Sequence, residues 1–200
     1  AALAANVAGT HHVVRACHLV NRDIKIVLVS SAEVYGRIAK ESLPIREGEP
    51  PHPANNYSLS KLMAEEALHR FTQFGKCRGV VVRPFNHIGA GQSTKFVASN
   101  FAHQLARIAC GEAPPVLLVG NLDAKRDFSD VRDIVRGYRL AALHGSGVYN
   151  LSSGTSVKIG DLLAKLIAIS GVQVEVQSDP SRMRPAEIAD LYGSYERART

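Results

Sequence analysis

The feature that most limits what this chain can fold into is a series of short, unbroken apolar runs separated by helical stretches. Ile24 to Val29 is a near-continuous run of β-branched and aliphatic residues, and Gly79 to Val82 is a second. Runs of that length without polar alternation fit strands buried on both faces, as in parallel sheets. Val116 to Val119, Val148 to Leu151 and Val172 to Val176 read as further strands. Between them, Asn6 to Val20 offers an apolar side built from Val7, Val13, Val14, Cys17 and Leu19. Tyr57 to Phe74 is rich in helix formers, with Asn55 or Asn56 available as cap and Gly75 as stop. Phe96 to Cys110, Asp130 to His144 and Ile159 to Ile169 complete the helices. The Pro-rich, polar stretch from Leu43 to Asn56 reads as a loop, and the Gly-rich stretch from Asn86 to Thr94 also reads as irregular. This alternation predicts an α/β fold with a parallel sheet and right-handed crossovers. Such sheets bind ligands beyond the carboxyl ends of their strands. Ser30-Ser31, Pro84-Phe85-Asn86 and the loop before Tyr57 all fall at such ends.

Composition narrows the class. With 46% hydrophobic residues among 200, the chain can bury a sizeable core. Its longest apolar runs are far too short to cross a bilayer. Ala1 to Ala5 lacks the basic leader and long apolar region of a signal peptide. The net charge is +6, but the basic residues are spread along the chain and mixed with acids. That pattern suits a cleft that attracts phosphates better than a nucleic-acid module, which would gather its cations into a patch. The cysteines, Cys17, Cys77 and Cys110, are odd in number and far apart, so neither a disulfide framework nor a metal site is expected. Reduced thiols and a cytoplasmic setting are the expectation.

Tyr57 and Lys61 carry the chemistry. Four residues apart at the start of a helix, they share one face, roughly 5–6 Å apart at their β-carbons. A nearby ammonium and the helix amino terminus are both expected to lower the phenol's pKa. A phenol so placed can pass a proton to or from a carbonyl or alcohol oxygen. Ser31, on the neighbouring strand end, can hydrogen-bond the same oxygen, and a hydride donor beside it would complete a carbonyl reduction. The Tyr-x-x-x-Lys spacing alone recurs by chance on surface helices; its context gives it weight. One buried strand ends in Ser30-Ser31-Ala32-Glu33-Val34-Tyr35-Gly36, a loop leads to Asn55-Asn56-Tyr57-Ser58-Leu59-Ser60-Lys61, and a second buried strand ends in Arg83-Pro84-Phe85-Asn86-His87.

With these runs, and with Asn6-Val7-Ala8-Gly9-Thr10 ahead of the first strand, the chain resembles the extended short-chain dehydrogenase/reductases, the NAD-dependent epimerase/dehydratase family. Arg83 to Gln92, Val119-Gly120-Asn121-Leu122, Arg126-Asp127-Phe128 and Asp179 to Arg184 are similar to its reductases of GDP-linked 4-keto-6-deoxy sugars. The resemblance implies the C-terminal half of a Rossmann-like parallel sheet with an interleaved, smaller substrate-binding region. Residues 1–85 and 127–152 would belong to the cofactor domain, and 86–126 and 153–200 to the substrate region. It implies NADP or NAD as cofactor, a nucleotide-sugar substrate, and a homodimer formed through the helix of Tyr57. Tyr57 would donate the proton, Lys61 would hold the nicotinamide ribose, and Ser31 would bind the reacting oxygen. Ser30, Pro84 and His87 would lie on the cofactor side. Asn86 would contact the sugar or phosphates, Phe96 and Val97 would sit near the base, Arg126 and Arg184 would face the diphosphate, and Glu187 would accept from a ribose hydroxyl. The family's opening strand, glycine-rich phosphate loop and helix have no counterpart before Asn6, so the chain is expected to be a fragment with weak cofactor binding of its own.

Other readings remain open. Glu33, two residues after Ser31, lies where the family's dehydratases carry a carboxylate for proton removal and water loss; otherwise it merely hydrogen-bonds the adjoining loop. A 4-epimerase is a third option. A cofactor-sensing or scaffold protein without turnover is a reading of another class, against which the intact Ser31, Tyr57 and Lys61 set argues. Arg126 has its own alternative, a salt bridge to Asp123 or Asp127.

Overall fold

The computed structural model describes residues 2–21, 23–75, 77–183 and 188–200. A π turn at Ala4–Ala8 opens into helix α1 (Gly9–Val20), which leads to strand β1 (Lys25–Val29). A single 3-10 turn, Ala32–Tyr35, leaves the end of that strand, with the Ser31 hydroxyl accepting from the Glu33 amide at 3.2 Å. Helix α2 (Asn56–Gln73) begins at a reciprocal cap. Asn55 accepts from the Ser58 amide at 2.9 Å, and the Ser58 hydroxyl accepts from the Asn55 amide at 3.2 Å. Strand β2 (Arg78–Pro84) then pairs in parallel with β1, Val27 opposite Val80 and Val29 opposite Val82.

Beyond β2 the chain forms β3 (Asn86–Ile88), α3 (Val97–Ala109), β4 (Val116–Val119), β5 (Lys125–Arg126) and β6 (Phe128–Asp130). Helix α4 (Val131–Leu143) follows, then β7 (Gly147–Leu151), β8 (Val157–Lys158), α5 (Ile159–Ser170), β9 (Glu175–Ser178), β10 (Asp190–Leu191) and α6 (Glu196–Arg199). The principal sheet runs β1-β2-β7, all parallel. Its side chains alternate between two helical layers, as the two-residue period of a strand requires. Val80 and Val82 pack on Ile134 and Ala141 of α4, while Val81 packs with Val14 of α1 and Leu68 of α2. Burying each such valine contributes about 1.5–3 kcal/mol. A second core joins Phe101 and Leu105 of α3 to Leu117 and Val119 of β4 and Leu163 of α5. The remaining strands form short pairings: β4 of the second core with β9, β3 with β6, and β10-β5-β8. Among the described residues no helix is long and apolar enough to cross a membrane.

The long helices and the principal strands lie within a few residues of where the sequence put them. Two places differ. The last predicted strand, Val172 to Val176, is displaced to Glu175–Ser178, because Gly171 caps α5 in the left-handed conformation and register with β4 sets Val116 opposite Glu175. The presumed loop from Leu43 to Asn56 contains Ile45, which is wholly buried and bridges to Gly193.

The junction between the cores is closed by Asp127. Its buried carboxylate accepts from the amides of Ser153 at 2.7 Å, Gly154 at 3.1 Å and Gly193 at 3.3 Å. Burial pushes this carboxyl up, against those amides, which hold it down. Gly193 is tightly constrained here: a Cβ would lie 2.4 Å from the ring of buried Phe85. Gly193→Ala is therefore expected to cost about 1–3 kcal/mol through displacement of that ring, read as a lower urea midpoint at unchanged slope.

Candidate active site

The carboxyl ends of β1 and β2 and the first turns of α2 converge on a cavity of about 330 Å³. It is lined by Ser30, Ser31 and Glu33 from the first strand end, Tyr57 and Lys61 from α2, and Pro84, Asn86 and His87 from the second. Every residue predicted for the catalytic and cofactor side thus borders one space. A second cavity, of about 440 Å³, adjoins it; Asn86, His87, Gln92 and Phe96 line both. Val97 and Arg126 line the second, together with Lys95, Asn121 and Arg182. Among the described residues its lining includes the cations Lys95, Arg126 and Arg182 and no Asp or Glu, with Arg182 Nε paired to Asp179 outside the lining at 3.1 Å. Arg184 and Glu187, expected at the diphosphate and a ribose, lie outside the described residues.

The α-helical period places Tyr57 and Lys61 on one side of α2, and the cap at Asn55 fixes where the helix starts. Lys61 donates from Nζ to the Val29 carbonyl at 2.9 Å, anchoring its ammonium at the end of β1. The same atom lies 5.8 Å from the centroid of the Tyr57 ring. Burial lowers the Lys61 pKa. Tyr57 corrects an expectation. Its phenol is raised above the ordinary value, first by burial and then by the Glu33 carboxylate, with only the Ser31 hydroxyl bonded to it pulling the other way. The helix amino terminus and Lys61 do not outweigh these, because desolvation of the phenolate dominates. The phenol therefore keeps its proton at neutral pH.

Other predicted residues have defined partners. Glu33 accepts from Asn55 Nδ2 at 3.2 Å, the loop contact weighed from the sequence, yet it also borders the cavity. Ser30 borders the cavity, but its hydroxyl is turned away and donates to Glu65. His87 Nδ1 is 3.0 Å from the Phe85 carbonyl. The two acids weighed as alternative partners of Arg126 have other contacts: Asp123 pairs with Lys158 at 2.7 Å, and Asp127 accepts from the three amides. Arg126 Nη1 donates to the carbonyls of Lys125 and Ile188, both at 2.7 Å.

Two cavity residues were assigned no role from the sequence. Tyr138 of α4 faces the catalytic cavity, and its phenol is raised by burial and by the nearby Tyr57. In sequence it is one apolar position among several on an amphipathic helix. Gln92 stands between the two cavities, donating to the His87 carbonyl at 2.8 Å and accepting from the Ser99 hydroxyl at 3.2 Å. Its places in a Gly-rich loop and at the end of the Arg83 to Gln92 run were the available hints.

The GDP-mannose 4,6 dehydratase family model matches residues 1–200. The chain is 40% identical over 194 residues to a GDP-6-deoxy-D-mannose reductase of Pseudomonas aeruginosa, covering 96% of this chain and 64% of that protein. It is 33% identical to a UDP-glucose 4-epimerase of Azospirillum brasilense, covering 88% of this chain and 54% of that protein. The fold superposes on the P. aeruginosa protein RMD, solved complexed with NADPH, with a TM-score of 0.92 at 38% identity, over 98% of this chain and 66% of that one. A UDP-glucose 4-epimerase of Thermus thermophilus, solved with NAD, gives 0.84 at 25% identity, over 97% and 62%. The chain thus spans less than two thirds of the length of these relatives. With this fold and this match along its full length, the chain belongs to the GDP-mannose 4,6-dehydratase family of extended short-chain dehydrogenase/reductases.

Proposed function

We propose that the full-length protein reduces the C4 keto group of a GDP-linked 4-keto-6-deoxy sugar, as a GDP-4-dehydro-6-deoxy-D-mannose reductase does, with NADPH or NADH as reductant. The observation that carries this reading is that Ser31, Tyr57 and Lys61 border one cavity at the strand ends, and that this cavity adjoins a second one lined by Lys95, Arg126 and Arg182. Residues 1–85 and 127–152 would form the cofactor side and 86–126 with 153–200 the substrate side.

The donor set fits a nicotinamide nucleotide: the Lys61 ammonium and Tyr57 hydroxyl face the cavity as ribose donors, and Pro84 and His87 supply another wall. When bound, that cofactor supplies the hydride. The chain's own residues do the rest. Ser31 and Tyr57 hydrogen-bond the keto oxygen and orient it. Tyr57 then gives its proton to that oxygen as negative charge develops on it. Arg126, Arg182 and Lys95 hold the diphosphate, guanidinium forks matching phosphate oxygens better than an ammonium does. Arg184 and Glu187 are assigned to the same ligand on the resemblance alone. A cytoplasmic setting belongs with this reading, as Cys17, Cys77 and Cys110 are free thiols. Pairing of two subunits through α1 and α2 fits the apolar side chains they expose, among them Val13, Leu19 and Met63.

A 4,6-dehydratase is the second reading, favoured by Glu33 at the cavity wall. The two separate in one assay on the full-length protein. Net NADPH consumption with the 4-keto-6-deoxy sugar supports the reductase. Loss of water from GDP-mannose without net NADPH consumption supports the dehydratase. Cofactor binding without turnover of either sugar would leave a sensor.

Lys61→Met tests the cofactor assignment. Removing a charge-assisted hydrogen bond is expected to weaken NADPH binding by about 10- to 100-fold and to slow turnover as well. Unchanged affinity in a fluorescence titration would remove Lys61 from the ribose.

A further inference from the structure

Beneath the catalytic cavity lies a buried charged cluster that proton transfer itself does not use. Glu65 and Arg83 are 6% and 5% exposed. They form a two-pronged pair, with Arg83 Nε to Glu65 Oε1 at 3.0 Å and Nη2 to Oε2 at 2.6 Å. Glu65 Oε1 also accepts from the Ser30 hydroxyl. The guanidinium of Arg83 lies 4.8 Å from the centroid of the Tyr35 ring, and the Tyr35 hydroxyl donates to Asn150 Oδ1 at 2.8 Å.

Glu65, Ser30 and Arg83 are each one step from a residue of the site. Glu65 follows Lys61 by four residues and Tyr57 by eight, so the helical period sets all three along one side of α2. Ser30 immediately precedes Ser31, and Arg83 immediately precedes Pro84. One carboxylate therefore ties the catalytic helix to both strand ends that border the cavity. Apolar packing alone would allow such a helix to slide, whereas a planar fork of two parallel hydrogen bonds fixes both distance and direction. Net stability is a poor reason for the arrangement, since well-packed apolar residues often replace a buried ion pair without loss.

We infer that Glu65 is a positioning residue, which through Ser30 and Arg83 sets the Ser31 hydroxyl and the Pro84 strand end against Tyr57 and Lys61. The inference rests on the carbonyl reduction proposed above. Its effect belongs in the rate of the chemical step rather than in binding, because a shift of about 1 Å between reacting groups costs on the order of 100-fold.

The test uses the full-length protein with Ser30→Ala, Ser30→Thr and Glu65→Asp. Ser30→Ala leaves the Glu65–Arg83 pair whole and removes only its link to the first strand end. Glu65→Asp keeps the charge but withdraws the carboxylate by one methylene. In both, kcat is expected to fall at least about 10-fold with KM for sugar and cofactor within about two-fold. Ser30→Thr, which keeps the hydroxyl, restores most of the rate. Crystal structures of the parent and Ser30→Ala should show a changed distance between Ser31 Oγ and Tyr57 Oη. The inference is overturned if kcat stays within about two-fold of the parent, or if kcat, KM and melting temperature fall together while that distance is unchanged. Should the parent reduce no keto sugar, the functional reading has failed on its own. The crystallographic distance then decides: a shift in Ser30→Ala upholds the positioning role, and an unchanged distance ends it.

Discussion

Exchanging Tyr57 for phenylalanine is expected to lower reductive turnover by about 10²- to 10⁴-fold while leaving the fold intact. The substitution removes one oxygen from a side chain that is 42% exposed, so neither a cavity nor an orphaned buried group results. What is lost is the proton that must reach the keto oxygen. Ser31 remains to bond that oxygen, which is why the residual rate stays above zero. The pH dependence carries the same signature. The raised Tyr57 pKa means that the donor form, the protonated phenol, prevails through neutral and mildly alkaline conditions. Reductive kcat is therefore expected to be level there and to decline only above the ordinary phenol value of about 10. The reverse oxidation, which needs the phenolate, should rise as pH increases toward that range. NADPH consumption by wild type and variant over a pH series, with a circular dichroism melt of each, checks all of this. Wild-type turnover in the variant would remove Tyr57 from the chemistry.

Arg83→Met is expected to destabilise the native state by about 3–5 kcal/mol. The methionine itself fits an apolar surround; the cost arises from Glu65, left 6% exposed without its cation. Pairing the change with Glu65→Leu should recover most of the loss, because two apolar side chains leave no uncompensated charge. Urea unfolding of both single variants and the double variant gives the coupling directly. A loss under about 1 kcal/mol in Arg83→Met would show that water reaches the carboxylate and that the pair is not a closed one. Stability and positioning separate cleanly here, since Ser30→Ala leaves the ion pair in place and Arg83→Met does not.

Much of the architecture was legible because its signals are local. Unbroken runs such as Ile24 to Val29 and Gly79 to Val82 need no partner to be recognised as buried strands. Asn55 with Ser58 and Gly75 mark the ends of α2 through chemistry within a few residues. The Tyr57–Lys61 spacing puts both on one helix face whatever surrounds it. What was missed is set by distant returns of the chain. Ile45 looks like one apolar residue in a polar loop until Gly193 and Asn150 close over it. Short strands such as β3 and β6 have too few residues to show a period and exist because they pair with each other. Tyr138 has the pattern of a core residue and becomes a cavity wall only when α4 packs behind β1 and β2.

By itself, then, the sequence determined the α/β alternation, the helix with its phenol and ammonium, and the strand end that bears Ser31, because each is encoded within about one or two turns of chain. Only the tertiary structure decided that Glu65 meets Arg83 and Ser30, that the two cavities share Asn86 and Phe96, and that the Tyr57 pKa is raised rather than lowered. Those outcomes depend on which groups lose water together, and desolvation is a property of the assembled neighbourhood rather than of any stretch of residues.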